Sequence, residues 1–302
     1  MGLFGLYWGA EWMVTGASRL AGSFGIRPMV VGLTVVAFGT SSPELAVSLI
    51  AVFEESDGIA IGNIIGSNIA NIGLILGASA LVSPLRVEAN VLRRELPIMI
   101  GVSLLFIALL FDGQIDSTDG ALLFAGLVGY LAYQLRDVFR RNGTVDDAGL
   151  DSNRPSQHGR NALMVVAGLG LLVAGANLMI ESGIVIARLL GISEVVIGIA
   201  LVAVGTSLPE LATSMVSALR GQSDISVGNI IGSNIFNVMC VVGVVSMIMP
   251  LEVDRQLLFF ELPVMMAFSL VLIPFMRTGF VLNRWEGGLL LAGYAVFIFY
   301  LF

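Results

Sequence analysis

The chain repeats itself at a fixed displacement. GTSSPEL at 39–45 returns as GTSLPEL at 205–211, and GNIIGSNIANIG at 62–73 returns as GNIIGSNIFNVM at 228–239, each shifted by 166 positions. The same shift aligns GAEWM at 9–13 with GANLM at 175–179, Gly25-Ile26 with Gly191-Ile192, and Glu95-Leu96-Pro97 with Glu261-Leu262-Pro263. A constant offset held along most of each half is internal duplication, so the two halves share one local fold.

The solvent for that fold is lipid. Hydrophobic residues make up 57% of the chain and charged residues 12%, with a mean hydropathy of +0.94, far from the composition of a soluble domain. Ten apolar runs approach the length needed to span a bilayer: about 3–22, 28–52, 59–82, 96–112, 119–139, 161–187, 194–218, 225–249, 257–275 and 286–302. The expected fold is an all-α integral membrane protein of ten transmembrane helices, with broken helices at the midplane. Residues 1–139 form the first five-helix repeat, 140–160 a polar linker, and 161–302 the second repeat. Asp146, Asp147 and Asp151 in that linker lack the spacing of a calcium loop and read as a solvated surface.

Five spans per copy is an odd number, so the second copy enters the membrane from the opposite side. This is an inverted-topology repeat, whose binding site is expected at the midplane where the copies meet. The 15 basic residues, all arginine, set the orientation. With the N-terminus outside, only Arg188 and Arg255 are external and the other arginines, the linker's included, are cytoplasmic. No basic segment precedes the first apolar run, so no cleavable signal peptide is expected. The destination is the cell membrane, as a multi-pass protein.

The repeated blocks place polar groups where lipid chemistry forbids them. Pro43 has no N–H and deprives the Gly39 carbonyl of its helical partner, so the second span must kink or break. Such backbone survives at membrane depth only inside protein or beside a watery cavity. At about 100° per residue, Ala37, Thr40, Ser41, Glu44 and Ser48 fall on one stripe, and Ala203, Thr206, Ser207, Glu210 and Ser214 repeat it. Asn63, Ser67 and Asn71 line a narrow polar face of the next span, repeated by Asn229, Ser233 and Asn237. Gly62, Gly66, Gly228 and Gly232 leave little bulk between these helices. A lone membrane proline is usually a kink, and membrane serines often bond their own backbone. Glu44 and Glu210 are different, because a carboxylate at the bilayer centre costs a few kcal/mol or more and marks a functional site by default. Two carboxylates, hydroxyls and amide oxygens form a hard-oxygen set suited to Ca²⁺ or Na⁺ and poor for softer metals.

GTS-x-PE in the second and seventh spans, with GN-x-x-GSN in the third and eighth, resembles the α-repeats of the cation/Ca²⁺ exchanger superfamily, especially the prokaryotic Na⁺/Ca²⁺ exchangers. The resemblance implies an antiporter exchanging Na⁺ for Ca²⁺ by alternating access. The implied metal ligands are the Ala37 carbonyl, Thr40, Ser41, Glu44, Ser67 and Asn71, with the Ala203 carbonyl, Thr206, Ser207, Glu210, Ser233 and Asn237. It also implies that the first and sixth spans slide across the other eight. Some relatives carry Asp in place of Asn237, and K⁺-dependent members use a carboxylate there, so K⁺ dependence is not expected.

The transported ions are the expected substrates, the lipid bilayer the only expected partner, and no cofactor, nucleic acid or protein partner is indicated. A Ca²⁺/H⁺ antiporter on the same site is the nearest alternative, since protons can replace Na⁺ on the two acids. A passive channel fits inverted halves with broken helices less well. An intramembrane hydrolase using Ser41 or Ser207 would lack an activating base, because the only histidine is His158 in the linker and there is no lysine. Cys240, the single cysteine, excludes an internal disulfide and reads as a small buried apolar residue. Glu11 and Glu181 are expected at an ion entrance or a water-exposed interface. Glu95 and Glu261 are expected as helix-end charges.

Overall fold

The computed structural model describes residues 1–142, 158–189, 204–253 and 257–301. Ala203, the linker aspartates, Arg154 and Arg255 lie outside the described residues. Each apolar run has a helical counterpart: α1 (Gly2–Ser23), α2 (Pro28–Phe53), α3 (Asp57–Val82), α4 (Val91–Asp112), α5 (Ser117–Asn142), α6 (His158–Leu189), α7 (Leu208–Leu219, after a helical turn at 204–206), α8 (Ser223–Ile248), α9 (Leu257–Arg277) and α10 (Arg284–Leu301). Six of these, α2, α3, α4, α6, α8 and α9, are long and apolar enough to cross a bilayer by length and composition.

Large apolar side chains face outward in numbers that water would not tolerate. Phe4, Phe111, Trp285, Phe299 and Tyr300 are all exposed near helix ends. Aromatic residues at such positions suit the membrane–water interface, and the exposed aliphatic surface between them suits lipid tails. The protein is an all-helical integral membrane protein.

Helix winding repeats with the sequence. The turns widen to π-helix at Asn71–Leu76 and again at Asn237–Val242, and at Val91–Glu95 and again at Leu257–Glu261. Both pairs are related by the 166-residue displacement seen in the sequence. Pro97 and Pro263 follow the second pair, and a wide turn accommodates a proline that has no N–H to give. Helix α4 therefore continues through Glu95, which is buried and accepts hydrogen bonds from Tyr130 Oη (3.1 Å) and Gln134 Nε2 (3.0 Å) of α5. Glu261 is also buried within a continuous helix, so neither acid is the helix-end charge the proline suggested.

Two short antiparallel ladders join the halves. Strand β1 (Leu85–Arg86) pairs with β4 (Val281–Leu282), and β2 (Gln114–Ile115) pairs with β3 (Leu251–Glu252). In each ladder one strand comes from the first half and one from the second.

The buried apolar side chains fall into two clusters. The larger runs through α2 (Met29, Leu33, Ala37, Ala51 and Val52), α3, α4, α5, α8, α9 and α10 and takes in Ala218 of α7, with α3 and α8 the most enclosed of the six candidate spans. The smaller is built on α1 and α6 and meets Val31 and Val36 of α2, Val216 of α7 and Ile225 of α8. Helices α1 and α6 touch backbone to backbone. A Cβ added at Gly9 would lie 2.7 Å from the Leu172 nitrogen, and one at Gly168 would lie 2.6 Å from the Met13 nitrogen. Side chains at these positions would force the pair apart.

Candidate cation site

The second span leaves helical geometry at Ser41 (φ −83°, ψ 5°), and the seventh does so at Ser207 (φ −85°, ψ 3°). Pro43 and Pro209 then sit in the first turn of the helix that restarts, where a missing N–H costs nothing. Glu44 and Glu210 occupy the same first turns. There the free N–H groups and the helix dipole favour negative charge, so the break both exposes backbone polarity and positions an acid against it.

The two halves exchange hydrogen bonds reciprocally. Ser41 Oγ donates to Glu210 Oε1 (3.0 Å), and Ser207 Oγ lies 3.4 Å from Glu44 Oε1 and 3.3 Å from Ser67 Oγ. Thr40 Oγ1 donates to Asn229 Oδ1 (3.2 Å), and Thr206 Oγ1 donates to Asn63 Oδ1 (3.3 Å). The amide nitrogens of those asparagines donate to Ser214 Oγ (3.0 Å) and Ser48 Oγ (3.1 Å). Each of these contacts except Ser207–Ser67 maps onto another when first-half residue numbers are raised by 166 and second-half numbers lowered by 166; Ser233, the counterpart of Ser67, has no hydrogen-bond partner among the described residues. Ten of the twelve expected ligands have buried side chains, and the bonds above engage seven of them, Thr40, Ser41, Glu44, Ser67, Thr206, Ser207 and Glu210; Asn71, Ser233 and Asn237 are buried farther along α3 and α8 without a bond to those seven. The buried Ala37 carbonyl accepts from the Ser41 N–H (2.9 Å), and Ala203 lies outside the described residues.

The cluster is rich in acceptors and poor in donors. Glu44 is 1% exposed and Glu210 0%, and neither is ion-paired to an arginine among the described residues. Glu44 Oε2, Glu210 Oε2, Asn71 Oδ1, Asn237 Oδ1 and Ser233 Oγ have no hydrogen-bond partner among those residues. An uncompensated carboxylate buried this deeply costs several kcal/mol, and orphaned neutral acceptors add about 1–3 kcal/mol each. Cations or protons remove that cost, and the donor set is oxygen throughout. No group of three or more His, Cys, Asp or Glu placed to hold a metal ion occurs among the described residues, so the acids here are two, set among hydroxyls and amides.

Tight packing beside the cluster is visible on one side. A Cβ at Gly232 would lie 2.5 Å from the Leu33 carbonyl oxygen, and one at Gly228 would lie 2.8 Å from that of Met29. Gly62 and Gly66 meet no described residue this closely; the positions related by the repeat to Met29 and Leu33 are 195 and 199, outside the described residues.

Sequence reasoning passed over two pairs. Asn68 and Asn234 stand off the polar stripe yet are buried and hydrogen-bonded to Asn237 and Asn71. Their signal lay in the repeated GSN. Arg220 also went unassigned; its guanidinium is ion-paired with Glu11 and bonded to the Thr15 hydroxyl, both on α1. Glu181 is exposed on α6.

Fold and site together define an integral membrane protein whose two broken helices hold an acidic, oxygen-lined cluster out of water. Comparison with known proteins agrees. The family model described as sodium/calcium exchanger protein matches residues 1–136 and 160–302, and the chain belongs to that family. The sodium/calcium exchanger MaX1 of Methanosarcina acetivorans is 36% identical over 338 residues, covering 100% of this chain and 97% of that one. The inner membrane protein YrbG of Escherichia coli is 38% identical over 277 residues, covering 90% and 85%. A solved structure of the sodium-calcium exchanger NCX_Mj superposes with a TM-score of 0.86 at 34% identity, covering 98% of this chain and 95% of that one. Membership makes the chain a transporter and not an enzyme.

Proposed function

We propose that this chain is a secondary antiporter that exchanges Na⁺ for Ca²⁺, the ions competing for one site built around Glu44 and Glu210. The observation that carries this reading is the reciprocal pair of bonds from Ser41 to Glu210 and from Ser207 to Glu44, which draws both acids into a single cluster. One Ca²⁺ or two Na⁺ would neutralise the pair. A further Na⁺ on neutral oxygens such as Asn71 Oδ1 and Asn237 Oδ1 would make the exchange electrogenic.

Both acids are shielded from bulk water, so ions enter and leave only when something moves. The separate apolar cluster on α1 and α6 supports a slab of two helices gliding over the remaining helices. Moving bare carboxylates along apolar walls is costly, so gliding is favoured when the charges are compensated and suppressed when the site is empty. That coupling turns a carrier into an exchanger.

The two strand ladders support the inverted layout, with 1–139 and 161–302 as the repeats. With ten crossings, the loops bearing β1 and β4 fall on one face and those bearing β2 and β3 on the other, as their pairing requires. The arginine bias then puts the N-terminus outside and the linker in the cytoplasm.

The test is Ca²⁺ uptake into liposomes holding the purified chain. An outward Na⁺ gradient at fixed pH should drive uptake that saturates with external Ca²⁺. Uptake driven only by a pH gradient without Na⁺ would replace this reading with Ca²⁺/H⁺ exchange, and non-saturating flux would indicate a channel.

A further inference from the structure

Asn71 and Asn237 pose a problem that glutamate does not. A carboxylate offers a cation the same oxygen at either end, whereas an amide offers an oxygen at one end and a repelling NH₂ at the other. Two amide ligands in a cation site therefore need something to decide which way they face.

Two neighbouring asparagines supply that decision. Asn68 Nδ2 lies 3.4 Å from the Asn234 backbone carbonyl and 3.8 Å from Met265 Sδ of α9, neither of which can donate. The Asn68 NH₂ must therefore face them, which turns Asn68 Oδ1 toward Asn237. There it accepts from Asn237 Nδ2 (3.0 Å). With its NH₂ engaged, Asn237 presents Oδ1 on the other side, where it has no partner among the described residues. The mirror relay runs from Met99 Sδ of α4 to Asn234 Nδ2 (3.6 Å), then from Asn234 Oδ1 to Asn71 Nδ2 (3.1 Å), leaving Asn71 Oδ1 likewise unpartnered. Asn68 and Asn234 are 1% and 3% exposed, so water does not compete for either end of the relay.

We propose that Asn68 and Asn234 are positioning residues, each locking the amide of the opposite half's ligand, Asn237 or Asn71, so that its oxygen faces the cation. Neither touches the ion. Each acts across the interface between the halves, so the orientation of one repeat's ligand is set by the other repeat. The proposal rests on the cation site described above. It accounts for a chain that uses amides here: the NH₂ of Asn237 satisfies Asn68, a role an ionised aspartate could not fill.

The experiment uses the full chain in liposomes and compares Asn68→Leu, which keeps the volume and removes the amide, in two backgrounds. In the otherwise unmodified chain it should raise the KM for Ca²⁺ by about 10–100-fold, the usual cost of removing a group that orients a metal ligand, with kcat changed less than about threefold. In the Asn237→Asp background the ligand has no wrong end to present, and the same replacement should change KM by less than about threefold. Equal losses in both backgrounds, or loss of the folded state in both, would mean a packing role and overturn the proposal, as would an unchanged KM in the first. Asn234→Leu with and without Asn71→Asp repeats the test through the mirror relay. If the unmodified chain shows no Na⁺-driven Ca²⁺ uptake, the antiport reading fails by itself; the orienting role is then read from Ca²⁺-dependent melting of the same four proteins, where the same pattern of differences is required.

Discussion

Glu11 on α1 is ion-paired with Arg220, the residue that follows α7. The guanidinium also binds the Thr15 hydroxyl one turn along α1, so a single side chain grips two successive turns of a helix in the smaller apolar cluster. The repeat places Asn177 and Glu54 at the corresponding positions, which cannot form the same pair. The grip therefore has no counterpart under the repeat.

Breaking it should alter the balance between transport states more than ion affinity. The pair is partly exposed, so its worth is on the order of 1 kcal/mol or less, which shifts a two-state ratio by up to about fivefold. Arg220→Gln should change the maximal Ca²⁺ exchange rate by up to that factor with little change in KM, and Glu11→Arg combined with Arg220→Glu should restore it. A change confined to KM would show that the pair belongs to the ion site instead.

Glu44→Gln and Glu210→Gln should each lower Ca²⁺ exchange by at least about 100-fold while the protein stays folded in detergent. Removing a buried, unpaired charge relieves desolvation, so the melting temperature without ions should hold or rise. The unmodified chain should gain about 2.7 kcal/mol at Ca²⁺ a hundredfold above its Kd, and both variants should lose that gain. Wild-type transport by either variant would remove that acid from the site.

Protons and cations contend for the same carboxylate oxygens, which sets the sign of the pH dependence. Ca²⁺ binding should weaken as pH falls, because protonation of Glu44 and Glu210 cancels the charge that attracts the ion. Below the range where they titrate, apparent affinity should drop about tenfold per pH unit for each proton displaced. Asn237→Asp should steepen the profile, since a carboxyl group against Asn68 Oδ1 is held best as the protonated donor. Uptake measured against pH in both proteins checks this, and an identical profile would place Asn237 outside the cation's reach.

Gly168→Leu should separate α1 from α6, because even its Cβ would lie 2.6 Å from the Met13 nitrogen and backbone cannot yield as a side chain can. Overpacking of this kind costs about 1–3 kcal/mol. A lowered melting temperature with impaired exchange is expected. Gly170→Leu, at a position with nothing within 4 Å among the described residues, is the control and should behave as the unmodified chain.

The helical, membrane-spanning character was legible because a bilayer imposes length and apolarity on every crossing, and the burial of the acids and hydroxyls because they recur beside prolines at one displacement. Helix ends were less so. The run expected to start at Leu96 begins at Val91, since a wide turn carries the helix through Arg93, Arg94 and Glu95 and past Pro97. Periodicity assumes regular turns and cannot register that. Asn68 was half legible for a different reason: the repeated GSN marks it, but its role depends on Asn237, 169 residues away in the other repeat, and no local pattern encodes such a partner. The Glu11 to Arg220 pair is equally non-local.

The crossed ladders bear on how such a chain could arise. Among the described residues strand β1 pairs with β4 and β2 with β3, so a polypeptide of half the length would have been left with raw edges at two separate places. A half-length precursor would have needed a second copy of itself to close those edges, each copy supplying the mates that the two halves now supply to each other.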